Sequence, residues 1–175
     1  MFDAIFEDGS LQDYINNNTN DPWVGTPFEK YVFMSPKQKG EFGERFVHKF
    51  MTFQGHDVQR ASTSTAGHDR IVNGILTEIK FSLAQRKKGD VCDDTFMINH
   101  VSIGKDWKRL IFFGINKYEE SRFVYFTKED FVENYRGFFS EQQGGKGIQN
   151  DDFICTGKKV MELIDQDWVK DISEW

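Results

Sequence analysis

The sequence predicts an α/β domain in which a mixed central sheet is flanked by helices. Three observations carry that expectation. Two short apolar segments flank Asn73-Gly74, the strongest short-range signal for a two-residue hairpin turn, because both central residues must tolerate positive φ. Leu110-Ile111-Phe112-Phe113-Gly114-Ile115 is a continuous apolar run, as expected of a central strand buried on both faces. Phe42, Phe46, Val47, Phe50 and Met51 recur at helical spacing and give one apolar face.

Taken in order, residues 1–35 read as an N-terminal arm or extension, with loop at Asn16 to Asn20 and at Asp21-Pro22. Residues 36–175 read as a single domain, long enough for one sizeable core. Ser35-Pro36 starts the first core helix, a capping hydroxyl followed by proline at the first helical position, and Gln54-Gly55-His56 ends it. Val58 to Ala61 is a short strand, Ser62 to Gly67 a polar loop, and the hairpin follows. Gln85 to Asp90 is a basic turn, and Thr95 to Val101 is expected to be a strand running into a short helix. Arg122 to Phe126 is another strand. Thr127 caps a helix through Phe131, Val132 and Tyr135, with Asp130 where a capping-box acid sits. The loop Gln142 to Gly147 precedes a last strand, Phe153-Ile154-Cys155. A final helix is expected from the amphipathic series Val160, Leu163, Ile164, Trp168, Ile172.

The hairpin carries the chemistry. With Asn73-Gly74 as the turn, Val72 pairs with Ile75, Ile71 with Leu76, Arg70 with Thr77 and Asp69 with Glu78. Side chains directly opposite lie roughly 4.5–5.5 Å apart at Cβ, and like charges there are destabilising. Lys80 lies two residues beyond Glu78, on the same face of the strand. Two carboxylates therefore converge beside an ammonium. A divalent cation is the simplest way to relieve the repulsion; an exposed salt bridge worth little is the bland alternative.

Asp69 followed by Glu78-Ile79-Lys80 resembles the PD-(D/E)XK nuclease pattern, the core of restriction-endonuclease-like enzymes. His68 stands where the family usually has proline. The likeness reaches upstream to Glu44 and, more loosely, downstream to about residue 126. It implies a restriction-endonuclease-like core and Mg²⁺ (or Mn²⁺ in its place) held by Asp69, Glu78 and the Ile79 carbonyl. It further implies that Lys80 orients or deprotonates the attacking water, with Glu44 donated by the first helix. Alone, E-x-K is a weak string. The hairpin register and a helix-borne glutamate strengthen it. Glu44 lies off the Phe42–Phe46–Phe50 stripe, so its bland alternative is a solvated helix carboxylate.

Arg86, Lys87 and Lys88 directly follow the expected catalytic strand and are candidate phosphate clamps, although a charge run is more often a solvated turn. Asn99 and His100 resemble a DNA-facing segment of some of these nucleases, and Lys146 is a further candidate backbone contact. The four histidines match no zinc spacing. Cys92 and Cys155 make no disulfide framework, and reduced thiols suggest a cytoplasmic protein. No apolar run approaches a membrane span and no basic leader is present, so neither membrane nor secretory targeting is expected.

A net charge of −6 is unusual for a DNA binder, but its distribution is uneven. Residues 1–35 carry one basic and six acidic side chains; residues 111–175 carry eight and thirteen. Residues 36–110, which hold the candidate site, carry thirteen basic and nine acidic. Phosphate binding depends on where cations sit, not on the whole-chain sum. The leading expectation is a Mg²⁺-dependent endodeoxyribonuclease of type II restriction character acting on duplex DNA as a homodimer. The N-terminal segment is a candidate dimer contact. The alternatives are a structure-selective phage or mobile-element nuclease, such as a junction resolvase or homing endonuclease, and a non-catalytic DNA-binding protein.

Overall fold

The structure, a computed structural model, describes residues 7–63, 66–84, 86–87, 90–91, 93–142 and 151–175. Its centre is a six-stranded mixed sheet. The strands are β1 (Val58–Arg60), β2 (Arg70–Val72), β3 (Ile75–Leu83), β7 (Arg109–Ile115), β8 (Ser121–Thr127) and β11 (Lys170–Asp171), in the order β1-β2-β3-β7-β8-β11. Within that sheet β3 and β7 run parallel and every other pair is antiparallel. A second sheet has the order β6-β10-β9, from β6 (Phe96–Ser102), β9 (Ser140–Glu141) and β10 (Asp152–Gly157). A small ribbon joins β4 (Arg86–Lys87) to β5 (Asp90–Val91). The helices are α1 (Ser10–Asn18), α2 (Pro36–Phe53), α3 (Lys128–Asn134) and α4 (Lys158–Ile164). Among the described residues, no helix is long and apolar enough to cross a membrane.

Helix α2 begins as its sequence requires. The Ser35 hydroxyl accepts from the Gln38 amide, the Gln38 side chain accepts from the Ser35 amide, and Pro36 opens the first turn. Its aromatic stripe meets the sheet: Phe46 stacks on Phe113 at 4.9 Å and Phe50 packs on Phe123 at 4.6 Å. Strand β7 is buried from Leu110 to Ile115, as its unbroken apolar run demands. The glycine at position 43 sets how closely helix and sheet approach, because a Cβ there would stand 3.0 Å from Phe81 Cγ and closer still to Phe81 Cβ. Residues 23–33 join this packing, with Trp23 and Phe28 buried and Phe28 edge-on to Phe42.

Four expectations differ from what forms. Asn16 to Asn18 lie in α1 rather than in loop. The stretch from Phe96 to Ser102 is strand throughout, with no short helix after it. Ile98 and Val101, three apart, are both buried because His100 takes a φ of 54° and the ladder with β10 shifts register between Phe153 and Cys155. That irregularity gives a strand the spacing of a helix. The final helix stops at Ile164. Trp168 then packs on Phe126 at 5.4 Å, and Lys170–Asp171 pair with Tyr125 and Val124 at the sheet edge. The hairpin register holds for Arg70–Thr77, Ile71–Leu76 and Val72–Ile75, but the ladder ends there and does not include the expected Asp69–Glu78 pair.

Candidate active site

The ladder stops at Arg70 because Asp69 uses its side chain where a strand would use its backbone. The Asp69 amide donates to the Thr77 carbonyl at 3.0 Å, and its Oδ2 accepts from the Ile79 amide at 2.7 Å. Asp69 therefore closes the hairpin mouth with a carboxylate. Within a strand the N–H and C=O of one residue point to the same edge, so the Ile79 carbonyl also faces the Asp69 side.

Glu78 sits beside this on β3 and is almost wholly buried, at 2% exposed. Its Oε1 accepts from Lys80 Nζ at 2.8 Å and from Lys105 Nζ at 3.2 Å. Its Oε2 is buried with no partner among the described residues. Burial, then the neighbouring Glu78 carboxylate, push the Asp69 carboxyl up to about 6; Glu44 adds to the rise, while the Ile79 amide and Lys80 oppose it. Two neighbouring acids, one with a buried unpartnered oxygen and one with its carboxyl pushed up, describe a site short of positive charge.

Glu44 reaches the site from α2. Its Oε2 accepts from Arg70 Nη1 at 2.9 Å, and the same nitrogen donates to the Asp69 carbonyl at 2.6 Å. Arg70 is buried on the inward face of β2, so one guanidinium ties the helix to the acid-bearing end of the hairpin. Replacing Arg70 by Leu is expected to cost about 2–3 kcal/mol in urea denaturation, because it strands Glu44 and leaves the Asp69 carbonyl with only the longer bond from the Ala61 amide.

Glu44, Asp69, Glu78, Ile79 and Lys80 line one cleft of about 470 Å³, together with Asn99 and His100 of β6 and with Lys105. His100 is largely exposed, with Nδ1 2.8 Å from Asp152 Oδ2 and its amide donating to Gln142 Oε1. Arg86 and Lys87 form β4, but their side chains, and all of Lys88 and Lys146, lie outside the described residues. His68 places Nδ1 3.0 Å from Asp106 Oδ1, and that hydrogen bond holds Asp106 below the usual carboxylate range. Cys155 is a buried thiol pushed up to about 12 by burial, with no part in the cleft; Cys92 lies outside the described residues.

Among the described residues no group of three or more His, Cys, Asp or Glu side chains is arranged to hold a metal ion. The cleft instead offers two carboxylates and a backbone carbonyl. That donor set suits Mg²⁺, which keeps several waters and commonly takes one or two carboxylates. The unpartnered Glu78 Oε2 and the negative charge crowded at Asp69 are what such an ion would neutralise, so the residues fit it.

Two cations here went unread in the sequence. Arg70 had a signal: a charged residue at an inward position of an apolar strand needs a partner. Lys105 had none. It sits in the Gly104-Lys105-Asp106 turn, anchored by Lys128 Nζ donating to its carbonyl, and only the tertiary fold carries it to Glu78.

No protein-family profile and no curated protein matches the chain. Among solved structures it has a distant likeness to a bacterial homing endonuclease, I-Ssp6803I. The two share 13% identity over 57% of this chain and 74% of that one, with a TM-score of 0.43.

Proposed function

We propose that the protein is a Mg²⁺-dependent endodeoxyribonuclease of the PD-(D/E)XK type, of restriction character, hydrolysing phosphodiester bonds in double-stranded DNA. The observation that carries this reading is Glu78: buried, held on one oxygen by two ammonium groups, and unpartnered on the other beside a second acid. Asp69, Glu78 and the Ile79 carbonyl would hold the ion, with Mn²⁺ able to replace it. Bound there, Mg²⁺ supplies charge neutralisation on the scissile phosphate and lowers the pKa of a coordinated water.

The chain's own groups do the rest. Lys80, fixed as an ammonium by its bond to Glu78, is placed to orient the attacking water and to stabilise the charge that develops on the phosphate. Lys105 is more exposed and brings a second ammonium to the same carboxylate, where it can hold a phosphate oxygen. Glu44, set by Arg70, adds a carboxylate at the rim, and Asn99 and His100 present polar groups to the substrate from β6. One such site cuts one strand, so a homodimer delivers a double-strand break. The reduced thiol of Cys155 suits a cytoplasmic setting.

Plasmid and phage DNA incubated with the full chain and Mg²⁺ should be cut into discrete fragments, and EDTA should stop the reaction. Lys80→Ala is expected to lose at least about 100-fold in rate while retaining DNA binding. Cutting confined to branched or single-stranded substrates would move the assignment to a structure-selective nuclease. Binding without any cutting in Mg²⁺ or Mn²⁺ would reject the catalytic reading.

A further inference from the structure

A second groove lies between α2 and β1. It has a volume of about 520 Å³ and is lined by Arg45, His48, Lys49, Thr52 and Phe53 of α2 and by Arg60 of β1, with no acidic residue among them. On a chain of net charge −6 that composition needs a reason. Arg45 pairs with the exposed Glu41 one turn earlier, whereas Lys49 and Arg60 have no ion-pair partner among the described residues. Both are exposed. Like charges crowd here: burial first, then Arg70 and Arg60, hold the His48 imidazole below its ordinary range. Phe53, at 87% the most exposed of the large apolar side chains among the described residues, also lines the groove.

Continuity with the acid site gives the groove a direction. Arg45 and Arg60 also line a neighbouring depression of about 360 Å³ that contains Glu44, His68 and Asp69. Arg60 pairs in register with Arg70, the residue next to Asp69. A polyanion seated on Lys49 and Arg60 would therefore lead to the acidic cleft.

We propose that the groove between α2 and β1 is a phosphate track that seats the DNA backbone flanking the cleavage site, through Arg45, Lys49 and Arg60, with Phe53 packing on the sugar edge beyond them. This inference rests on DNA being the substrate and names a face of the molecule for it. Cations aligned along a groove bind phosphates largely through counterion release, so the track has a measurable signature. Each phosphate that is no longer neutralised lowers the slope of log K against log salt by about 0.9.

The test uses the full chain carrying Asp69→Asn, so that DNA is bound but not cut, and fluorescence anisotropy with a duplex over a salt series in EDTA. Adding Lys49→Gln with Arg60→Gln is expected to weaken binding at least about tenfold and lower the salt slope by about 2. The matched neutralisation on α4, Lys158→Gln with Lys159→Gln, should shift binding less than about twofold. Circular dichroism melts of both double variants establish that they are folded. Unchanged affinity on neutralising Lys49 and Arg60, or an equal weakening from the α4 pair, overturns the track while leaving cleavage by the wild-type chain as a separate result. Absence of DNA binding in every variant, together with no cutting by the wild type, overturns the track and the nuclease reading together.

Discussion

Asp69→Asn is expected to abolish metal-dependent cleavage and, in the same molecule, to make the metal-free fold more stable above pH 6. The first effect follows from losing one of two carboxylates that would hold the ion; a loss of at least about 100-fold in rate is expected. The second follows from the raised pKa. A folded-state value near 6 against an ordinary 3.8 means that the folded chain holds the Asp69 proton more tightly than the unfolded chain does. Asp69 therefore detracts nothing below about pH 4. Its penalty grows as pH rises from about 4 to about 6 and is constant above that. The deficit is on the order of 3 kcal/mol at neutral pH. Asparagine is uncharged throughout and keeps an oxygen to accept from the Ile79 amide. Urea denaturation at about pH 4 and pH 8 should show no gain at the lower value and the full gain at the higher. Saturating Mg²⁺ should stabilise the wild type and not the variant. A variant less stable than wild type at pH 8 would mean that the acid pair carries no stored repulsion.

Gly43→Ala is the second large effect, and its sign is opposite to ordinary helix propensity. Exchanging glycine for alanine within a helix normally gains about 1 kcal/mol. Gly40 should behave so, since nothing lies within 4 Å of a Cβ placed there. At Gly43 the same methyl meets Phe81 on the strand that carries Glu78 and Lys80. Overpacking of this kind typically costs about 1–3 kcal/mol. The rigid partner is strand backbone and a packed ring, so Gly43→Ala should destabilise by about 2 kcal/mol where Gly40→Ala stabilises. Because Glu44 and its Arg70 bond follow directly, the displacement should also slow cleavage. Thermal melts of the two variants side by side, with cleavage rates, read both effects. Equal stabilisation by both substitutions would show that helix and strand do not approach this closely.

The hairpin was legible because a two-residue Asn-Gly turn fixes register locally; that register brings Asp69 to the end of β3 that carries Glu78 and Lys80, although the ladder itself stops one pair short of them. Glu44 was legible as an acid off the aromatic stripe of its helix, whereas its bond to Arg70 was not. What stayed hidden depends on tertiary placement. The turn of the Asp69 carboxylate onto the Ile79 amide, and the arrival of Lys105 from a loop after β6, have no local pattern. At His100 a single positive φ made a strand mimic helical spacing, and at Trp168 an edge turn continued a helical periodicity that the chain had already abandoned.

The parallel neighbours β3 and β7 impose an order of assembly. Asp69 and Ile79 are only 10 residues apart, and closing so short a loop takes well under a microsecond. Ile79 meets Ile111 only after the chain has laid down all of β6 in between, a non-local pairing that is slow to form. The two acids therefore come near each other in a nascent, still hydrated hairpin before the apolar strand arrives beside Glu78. Their mutual repulsion is weakest at that moment, and it grows as the packing of β3 against β7 takes Glu78 out of water.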